Sequence, residues 1–165
     1  MNGKEEYWFY LLLLSKAVEF VDTFFIILRK KPLIFLHWYH HMATFMFFVV
    51  HYPLPSSQFR AGSILNVAVH AIMYPYYLLR SLRVPLPGIV AKLVTSFQLV
   101  QFVIFVSGSI YHYYYYYLTD NYFCDSAMFE VHMATILNVS YFLLFANFFL
   151  KSYVIKGGKN KYKSQ

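Results

Sequence analysis

Charged residues are scarce in this sequence. They account for 13% of its 165 residues, whereas an average soluble domain contains about 25%. Hydrophobic residues account for 59%, and they occur in long runs of membrane-spanning length and not in the alternation of a half-buried strand. This composition excludes an ordinary soluble domain and predicts an integral membrane protein.

Cysteine is nearly absent as well. Cys124 is the single cysteine, so no disulfide framework can form within the chain. Acidic residues are few, which leaves a formal net charge of +7. The basic residues lie between the apolar runs and near the C-terminus, a pattern typical of membrane topology and not of a nucleic-acid-binding surface. We therefore expect the lipid bilayer as a partner, and no nucleic acid.

Five apolar runs are each long enough for a membrane-spanning helix, which needs about 20 residues. They cover residues 8–28, 33–52, 61–80, 88–110 and 127–150. The predicted fold is an all-α polytopic membrane protein with a single membrane domain over residues 1–165. A basic tail follows at residues 151–165.

The positions of lysine and arginine predict the orientation of these spans. Basic residues follow the first, third and fifth runs, whereas the second loop has only Arg60 and the fourth has none. Because basic loops stay in the cytoplasm, this alternation predicts an N-terminus outside and a cytoplasmic C-terminus. The predicted cytoplasmic residues outside the tail are Arg29, Lys30, Lys31, Arg80 and Arg83.

Polar residues within four of the runs recur at helical spacing, so that each set lies on one face of its helix. The sets are Lys16, Glu19 and Asp22; His37, His40 and His41; Asn66, His70 and Tyr74; and Thr95, Gln98 and Gln101. Counting about 1.5 Å per residue from the basic ends places all four sets between the inner membrane surface and the midplane. Ionisable residues inside a membrane usually mark a functional site, so we predict a polar chamber open to the cytoplasm. The alternative for each set alone is a structural role, such as hydrogen bonds that tie helices together.

These four sets resemble the motifs of the very-long-chain fatty acid elongase (ELO) family. The histidine box reads His37-Trp-Tyr-His40-His41. The patterns K-x-x-E-x-x-D-T, N-x-x-x-H-x-x-M-Y and T-x-x-Q-x-x-Q begin at Lys16, Asn66 and Thr95, in family order and spacing. The resemblance extends from about Tyr7 to the C-terminus. Because family members have seven spans, it implies a partial elongase-type helical barrel that lacks the first two.

The resemblance implies the activity of a very-long-chain 3-oxoacyl-CoA synthase. Such an enzyme condenses acyl-CoA with malonyl-CoA to give 3-ketoacyl-CoA, CO₂ and CoA. The family's acyl-carrying histidine corresponds to His40, and His70 is expected beside it near the reactive carbons. His37 and His41 are expected to orient reacting groups. Both thioesters are substrates, and no cofactor or metal is expected.

The same resemblance implies a set of substrate-binding residues. Asn66, Tyr74, Gln98 and Gln101 are expected near the thioester and enolate oxygens. Lys16, Glu19 and Asp22 either support the histidines or contact CoA, and the sequence leaves both roles open. The CoA phosphates would meet a basic cytoplasmic rim, although topology alone explains these charges equally well. The candidates for the rim are Arg29, Lys30, Lys31, Arg80, Arg83 and Lys92.

Family and sequence agree on residence in the endoplasmic reticulum membrane as a multi-pass protein. Lys161 and Lys163 resemble a dilysine retrieval signal, which is an address and not an anchor. The expected partners are the reductase and dehydratase of the elongation cycle, or further copies of the chain.

Two other functions remain open at the level of sequence. Membrane di-iron desaturases and hydroxylases also contain H-x-x-H-H, although iron needs more nitrogen or carboxylate ligands than one box supplies. The chain is alternatively a non-enzymatic membrane protein, either a transporter or an inactive or truncated elongase fragment that serves as a non-catalytic membrane subunit.

Overall fold

The structure, a computed structural model, describes residues 3–30, 32–52, 56–119 and 126–155. All regular secondary structure in these ranges is helical, which confirms the predicted all-α class. The helices are α1 (Gly3–Val18), α2 (Phe20–Leu28), α3 (Phe35–His51), α4 (Ser57–Ser81), α5 (Gly88–Leu118) and α6 (Met128–Phe149), followed by a π-helical turn (Leu150–Ile155).

The helices form two compact units, which divide after Phe59. The prediction of a single membrane domain stays a prediction. In the first unit, α1, α2 and α3 pack through aromatic side chains. The rings of Phe20 and Phe45 meet edge to face at 5.4 Å, and Phe59 packs on Phe48 at 4.9 Å and on Phe9 at 5.8 Å. These contacts hold the first helices against the helix that carries the histidine box.

The first apolar run does not form one continuous helix. The predicted span 8–28 is interrupted at Glu19, which separates α1 from α2. The Glu19 backbone keeps right-handed helical angles, but the Asp22 N–H donates to the Glu19 carbonyl at 3.2 Å, a bond between residues three apart. Such 3₁₀ tightening inside a helix often marks a functional hinge or local strain.

In the second unit, α5 and α6 pack along each other through Phe102, whose ring lies 5.7 Å from Tyr141 and 5.2 Å from Phe145. Helix α4 approaches α5 closely at Gly62, where an added Cβ would lie 3.1 Å from a ring carbon of Phe105. A small residue at this position therefore permits the contact between the two helices. Pro75 lies inside α4 and removes one backbone donor there.

Helix α5 ends later than expected. The predicted span stops at residue 110, but the helix continues through Leu118 and so through most of the tyrosine run. Tyrosines one turn apart pack on each other, as shown by the 4.5 Å between the Tyr111 and Tyr115 rings. At 31 residues the helix is about 46 Å long, which exceeds a hydrocarbon core of about 30 Å.

Two helical segments among the described residues are long and apolar enough to cross a membrane. They are Gly88–Leu118 and Met128–Ile155, the second of which includes the π-helical turn. The other three predicted spans are helical within the described residues, but none of their helices alone is both long and apolar enough. Helix α3 has only 17 residues, and the first run is split at Glu19. Their crossing of the membrane stays a prediction.

Candidate active site

The histidine box lies on α3 with its three imidazoles close together. The rings of His37 and His41 lie 4.4 Å apart, and those of His40 and His41 lie 5.4 Å apart at nearly a right angle. His40 and His41 are buried, whereas His37 is half-buried. The helical period therefore places the three side chains on one face, as their spacing predicts.

A buried ion pair lies against this box. The Lys16 ammonium donates to Glu19 Oε1 at 2.7 Å, and Glu19 Oε2 lies 3.5 Å from Nδ1 of His41. The Lys16 ammonium also lies 5.7 Å from the centre of the Phe48 ring, within the range of a cation–π contact. Charged side chains are rarely buried unless they are paired, so this arrangement holds opposite charges beside the histidines.

His37 has its own partner from the first motif. Its Nε2 lies 3.1 Å from the Thr23 hydroxyl. Thr23 ends the K-x-x-E-x-x-D-T pattern, but no role was predicted for it from sequence. The first two motifs thus meet within the first unit, with Glu19 beside His41 and Thr23 beside His37.

The third and fourth motifs meet within the second unit. On α4, Asn66 Nδ2 lies 3.4 Å from His70 Nε2, and the His70 ring lies 5.7 Å from Tyr74. From α5, Gln98 donates to the Met73 sulfur at 3.0 Å. Asn66, Gln98 and Gln101 are all buried. The contact between Gln98 and Met73 therefore joins the third motif on α4 to the fourth motif on α5.

Sequence reasoning did not find Tyr153, which belongs to the π-helical turn. Its hydroxyl lies 3.4 Å from that of Thr95, and Thr95 also donates to the Ala91 carbonyl. No apolar period announces a π-helical turn, so only its position after the fifth apolar run could have drawn attention to it.

The basic residues proposed for the rim lie at or near helix ends. Arg29, Lys30, Arg83 and Lys92 are exposed and Arg80 is half-buried, whereas Lys31 lies outside the described residues. Lys30 and Arg83 have positive φ angles of 53° and 60°. Exposure at helix ends leaves these side chains accessible to an anionic ligand.

Several other residues are not part of these clusters. His51 is bonded through Nδ1 to the Phe47 carbonyl at 2.7 Å, and His132 similarly contacts the Met128 carbonyl. Cys124, Lys161 and Lys163 lie outside the described residues. In the part of the chain that the structure describes, no three His, Cys, Asp or Glu side chains form a group that could hold a metal ion.

This geometry defines a class of protein. It is an all-helical membrane protein with buried histidines, a buried carboxylate and buried amides in four ordered motifs. The model of the ELO family, described as the GNS1/SUR4 family, matches residues 1–161. The chain therefore belongs to the ELO family.

Its curated relatives are fatty acid elongases. Long chain fatty acid elongase 1 of Caenorhabditis elegans is 44% identical over 163 residues, which are 99% of this chain and 56% of that protein. Very long chain fatty acid elongase 3 of Homo sapiens is 38% identical over 99% of this chain and 60% of that protein. Very long chain fatty acid elongase 6 of Drosophila melanogaster is 36% identical over 92% of this chain and 48% of that protein.

The chain spans about half the length of these relatives. No solved structure matches it.

Proposed function

We propose that this chain takes part in fatty acid elongation as a 3-oxoacyl-CoA synthase, with a histidine as the nucleophile. The observation that carries the proposal is the histidine box of α3, buried against the Lys16–Glu19 pair. Family membership and the names of the relatives support the same reaction. A neutral imidazole is a competent nucleophile when a positioned neighbour assists it, and its ordinary pKa leaves it mostly unprotonated at neutral pH.

The proposed reaction has two steps on His40. In the first, an imidazole nitrogen attacks the thioester carbonyl of acyl-CoA, the carbon–sulfur bond breaks, and CoA leaves. In the second, malonyl-CoA loses CO₂, and the resulting enolate carbon attacks the acyl-imidazole. This attack forms the new carbon–carbon bond of 3-ketoacyl-CoA and releases His40. An acyl-imidazole is reactive, so burial and membrane surroundings serve it by excluding water.

The remaining motif residues have supporting roles in this proposal. We assign His70 a role near the reacting carbons, and we assign Asn66, Gln98 and Gln101 the role of donors to the developing oxygen charge. The exposed basic residues at the helix ends receive the phosphates of CoA from the cytoplasm. The protein would work as a multi-pass protein of the endoplasmic reticulum, with its C-terminus in the cytoplasm and with the reductase and dehydratase of the cycle as partners.

The proposal predicts a covalent intermediate on His40. Purified protein in lipid nanodiscs, incubated with a long-chain acyl-CoA alone, should gain the mass of one acyl group. The His40→Ala variant should not, because it lacks the nucleophile, and His70→Ala should acylate but condense poorly. Intact-protein mass spectrometry measures both, and peptide mapping locates the group. Undiminished acylation of His40→Ala would contradict the assignment.

The same preparation tests the di-iron alternative. Neither acylation nor condensation needs a metal in this mechanism, so treatment with a strong chelator should leave both rates unchanged. The His132→Ala variant is the matched control for His40→Ala and should acylate as the wild type does. His132 is an exposed histidine bonded to its own helix backbone. Loss of activity on chelation, or a wild-type chain that never acylates, would overturn the proposed function.

A further inference from the structure

Glu19 contacts two different partners through its two carboxylate oxygens. Oε1 accepts from Lys16 at 2.7 Å, while Oε2 faces Nδ1 of His41 at 3.5 Å. All three residues are buried, with relative exposures of 3% for Lys16 and 8% each for Glu19 and His41. The carboxylate is therefore placed between a cation and an imidazole, away from solvent.

The His41 Nδ1 atom is buried and makes no hydrogen bond within the described residues. A buried polar nitrogen without a partner is unfavourable. A contraction of the Nδ1 to Oε2 distance by a few tenths of an ångström would give a hydrogen bond of ordinary length. Catalytic hydrogen bonds are often long in the free enzyme and shorten when substrate binds.

The chemistry of the two groups dictates the direction of this bond. An ionised carboxylate can only accept, so the proton must reside on Nδ1 of His41. In a neutral imidazole the other nitrogen, Nε2, then carries the free lone pair. The contact with Glu19 thus selects one of the two tautomers of His41.

Lys16 keeps the carboxylate in its ionised form. An isolated buried carboxylate would take up a proton and would then no longer be a pure acceptor. The ammonium neutralises its charge at 2.7 Å, and the Phe48 ring lies 5.7 Å from that ammonium. The residue that carries the carboxylate lies between α1 and α2, where the Asp22 N–H donates to the Glu19 carbonyl.

We propose that Glu19 is a positioning residue that holds His41 as the Nδ1–H tautomer, with Lys16 keeping Glu19 ionised. The free lone pair of His41 then lies on Nε2, and the centre of the His41 ring lies 5.4 Å from that of His40. The proposal separates the two roles left open for the first motif: Lys16 and Glu19 support the histidines and do not contact CoA. Its catalytic consequence rests on the proposed function, whereas the tautomer itself does not.

Nitrogen NMR of the full chain tests the tautomer without any assay of activity. The chain is labelled with ¹⁵N in its histidines and reconstituted in lipid nanodiscs, where the spectrum distinguishes protonated from unprotonated ring nitrogens. The signals of His41 are those that disappear in His41→Asn. We expect a protonated Nδ1 and an unprotonated Nε2 in the wild-type chain. An unprotonated Nδ1 on His41 in the wild type would overturn the proposal with no variant needed.

Two substitutions then test whether Glu19 is the cause of the His41 tautomer. Glu19→Gln keeps the shape of the side chain but removes its charge, so the Nδ1 signal should shift and the second tautomer should become populated. Glu130→Gln is the matched control, because Glu130 is also a buried glutamate but belongs to α6 in the other unit. Glu130→Gln should leave the His41 signals unchanged. Identical His41 signals in wild type and Glu19→Gln would contradict the proposal.

Activity provides the second readout. Carboxylates that orient metal-bound histidines contribute roughly 10- to 100-fold, and we take the same scale for Glu19. We expect a loss of this size in the acylation rate of Glu19→Gln, with an unchanged KM for acyl-CoA, a smaller loss in Glu19→Asp, and no change in Glu130→Gln. A raised KM with an unchanged maximal rate would assign Glu19 to CoA binding and overturn the proposal. A wild-type chain that never acylates would instead contradict the proposed function and leave the NMR result standing.

Discussion

Two basic residues, Lys30 and Arg83, have left-handed backbone conformations in which glycine is the usual residue. Each follows the end of a helix. At Arg83 the pattern of a Schellman motif is complete, because Val84 N–H donates to the Leu79 carbonyl at 3.0 Å and Arg83 N–H to the Arg80 carbonyl at 3.1 Å. A side chain with a Cβ is disfavoured in this conformation, so stability alone would select glycine here.

The substitution Arg83→Gly separates stability from binding. It should raise the free energy of unfolding by about 1 kcal/mol, because the left-handed conformation costs an L-residue about 1–2 kcal/mol. If Arg83 binds CoA phosphate, the same change should weaken CoA affinity by up to about fivefold, the size of an exposed charge pair. Unfolding in mixed detergent micelles and calorimetric titration with CoA measure the two effects.

The control is Arg83→Lys, which keeps the charge and the strained backbone. It should change the affinity for CoA and the stability far less than the glycine variant does. Arg83→Gly with unaltered CoA affinity would mean that Arg83 serves membrane topology only. Greater stability in the glycine variant is expected in either case, because it depends on the backbone and not on the ligand.

At the scale of the helices, the sequence predicted which segments are helical but not where each begins, ends or bends. Hydropathy reports the length of an apolar run, and α3, α4 and α6 start within a few residues of the expected positions. The interruption at Glu19 depends on a local hydrogen bond between residues three apart. The extension of α5 depends on tyrosine pairs one turn apart. Neither the interruption at Glu19 nor the extension of α5 changes the hydropathy pattern of the sequence, so hydropathy did not predict them.

The placement of each polar set on one helix face was more predictable than its contacts with other helices. Helical spacing gives the face, whereas the contact of Gln98 of α5 with Met73 of α4 depends on how the two helices pack. Distances such as that between Thr95 and Tyr153 depend on a π-helical turn. The hydrogen bonds of such a turn join residues five apart instead of four, and a single turn leaves no periodic signal in the sequence.

The approach of α4 to α5 at Gly62 gives a prediction about these elements. Gly62→Leu should destabilise the second unit by about 1–3 kcal/mol through overpacking, because even a Cβ would lie 3.1 Å from the Phe105 ring. Gly108→Leu is the matched control, since nothing lies within 4 Å of a Cβ at that glycine of α5. Unfolding in mixed detergent micelles, followed by circular dichroism, compares the two.

A second substitution makes this test specific to the contact. Phe105→Ala should recover part of the stability lost in Gly62→Leu, so that the two changes are not additive. If Gly62→Leu and Gly108→Leu have the same effect, or if the two changes at the contact simply add, close packing at Gly62 is not what fixes the position of α4.

At the scale of the whole molecule, the four motifs fall into two pairs, one in each compact unit. The first pair supplies a histidine box with a carboxylate, and the second supplies a histidine with amide donors. An elongase reaction needs both kinds of group, a nucleophile for the acyl chain and donors for the enolate oxygen. The four polar sets are predicted to lie at similar depth in four spans. A single polar chamber that contains all four sets stays a prediction, which follows from the predicted topology.

That topology can be tested with cysteines, because the chain has only one of its own. Positive residues predict a cytoplasmic loop after α4 and an outer loop that contains Cys124. Leu82, at the end of α4, is 65% exposed and suits a labelled position. In sealed microsomes, a membrane-impermeant maleimide should label a Leu82→Cys, Cys124→Ser variant at once. The wild-type chain should be labelled at Cys124 only after the membrane is permeabilised.

The orientation matters for chemistry as much as for insertion. CoA carries several phosphates and cannot cross a bilayer, so the basic helix ends and the polar sets at similar depth must open to the compartment that holds acyl-CoA. Immediate labelling of Cys124 in sealed microsomes, with protection of position 82, would reverse the orientation. It would place Arg80 and Arg83 away from the CoA pool, and the assignment of a basic rim would fail together with the inferred depth of the histidines.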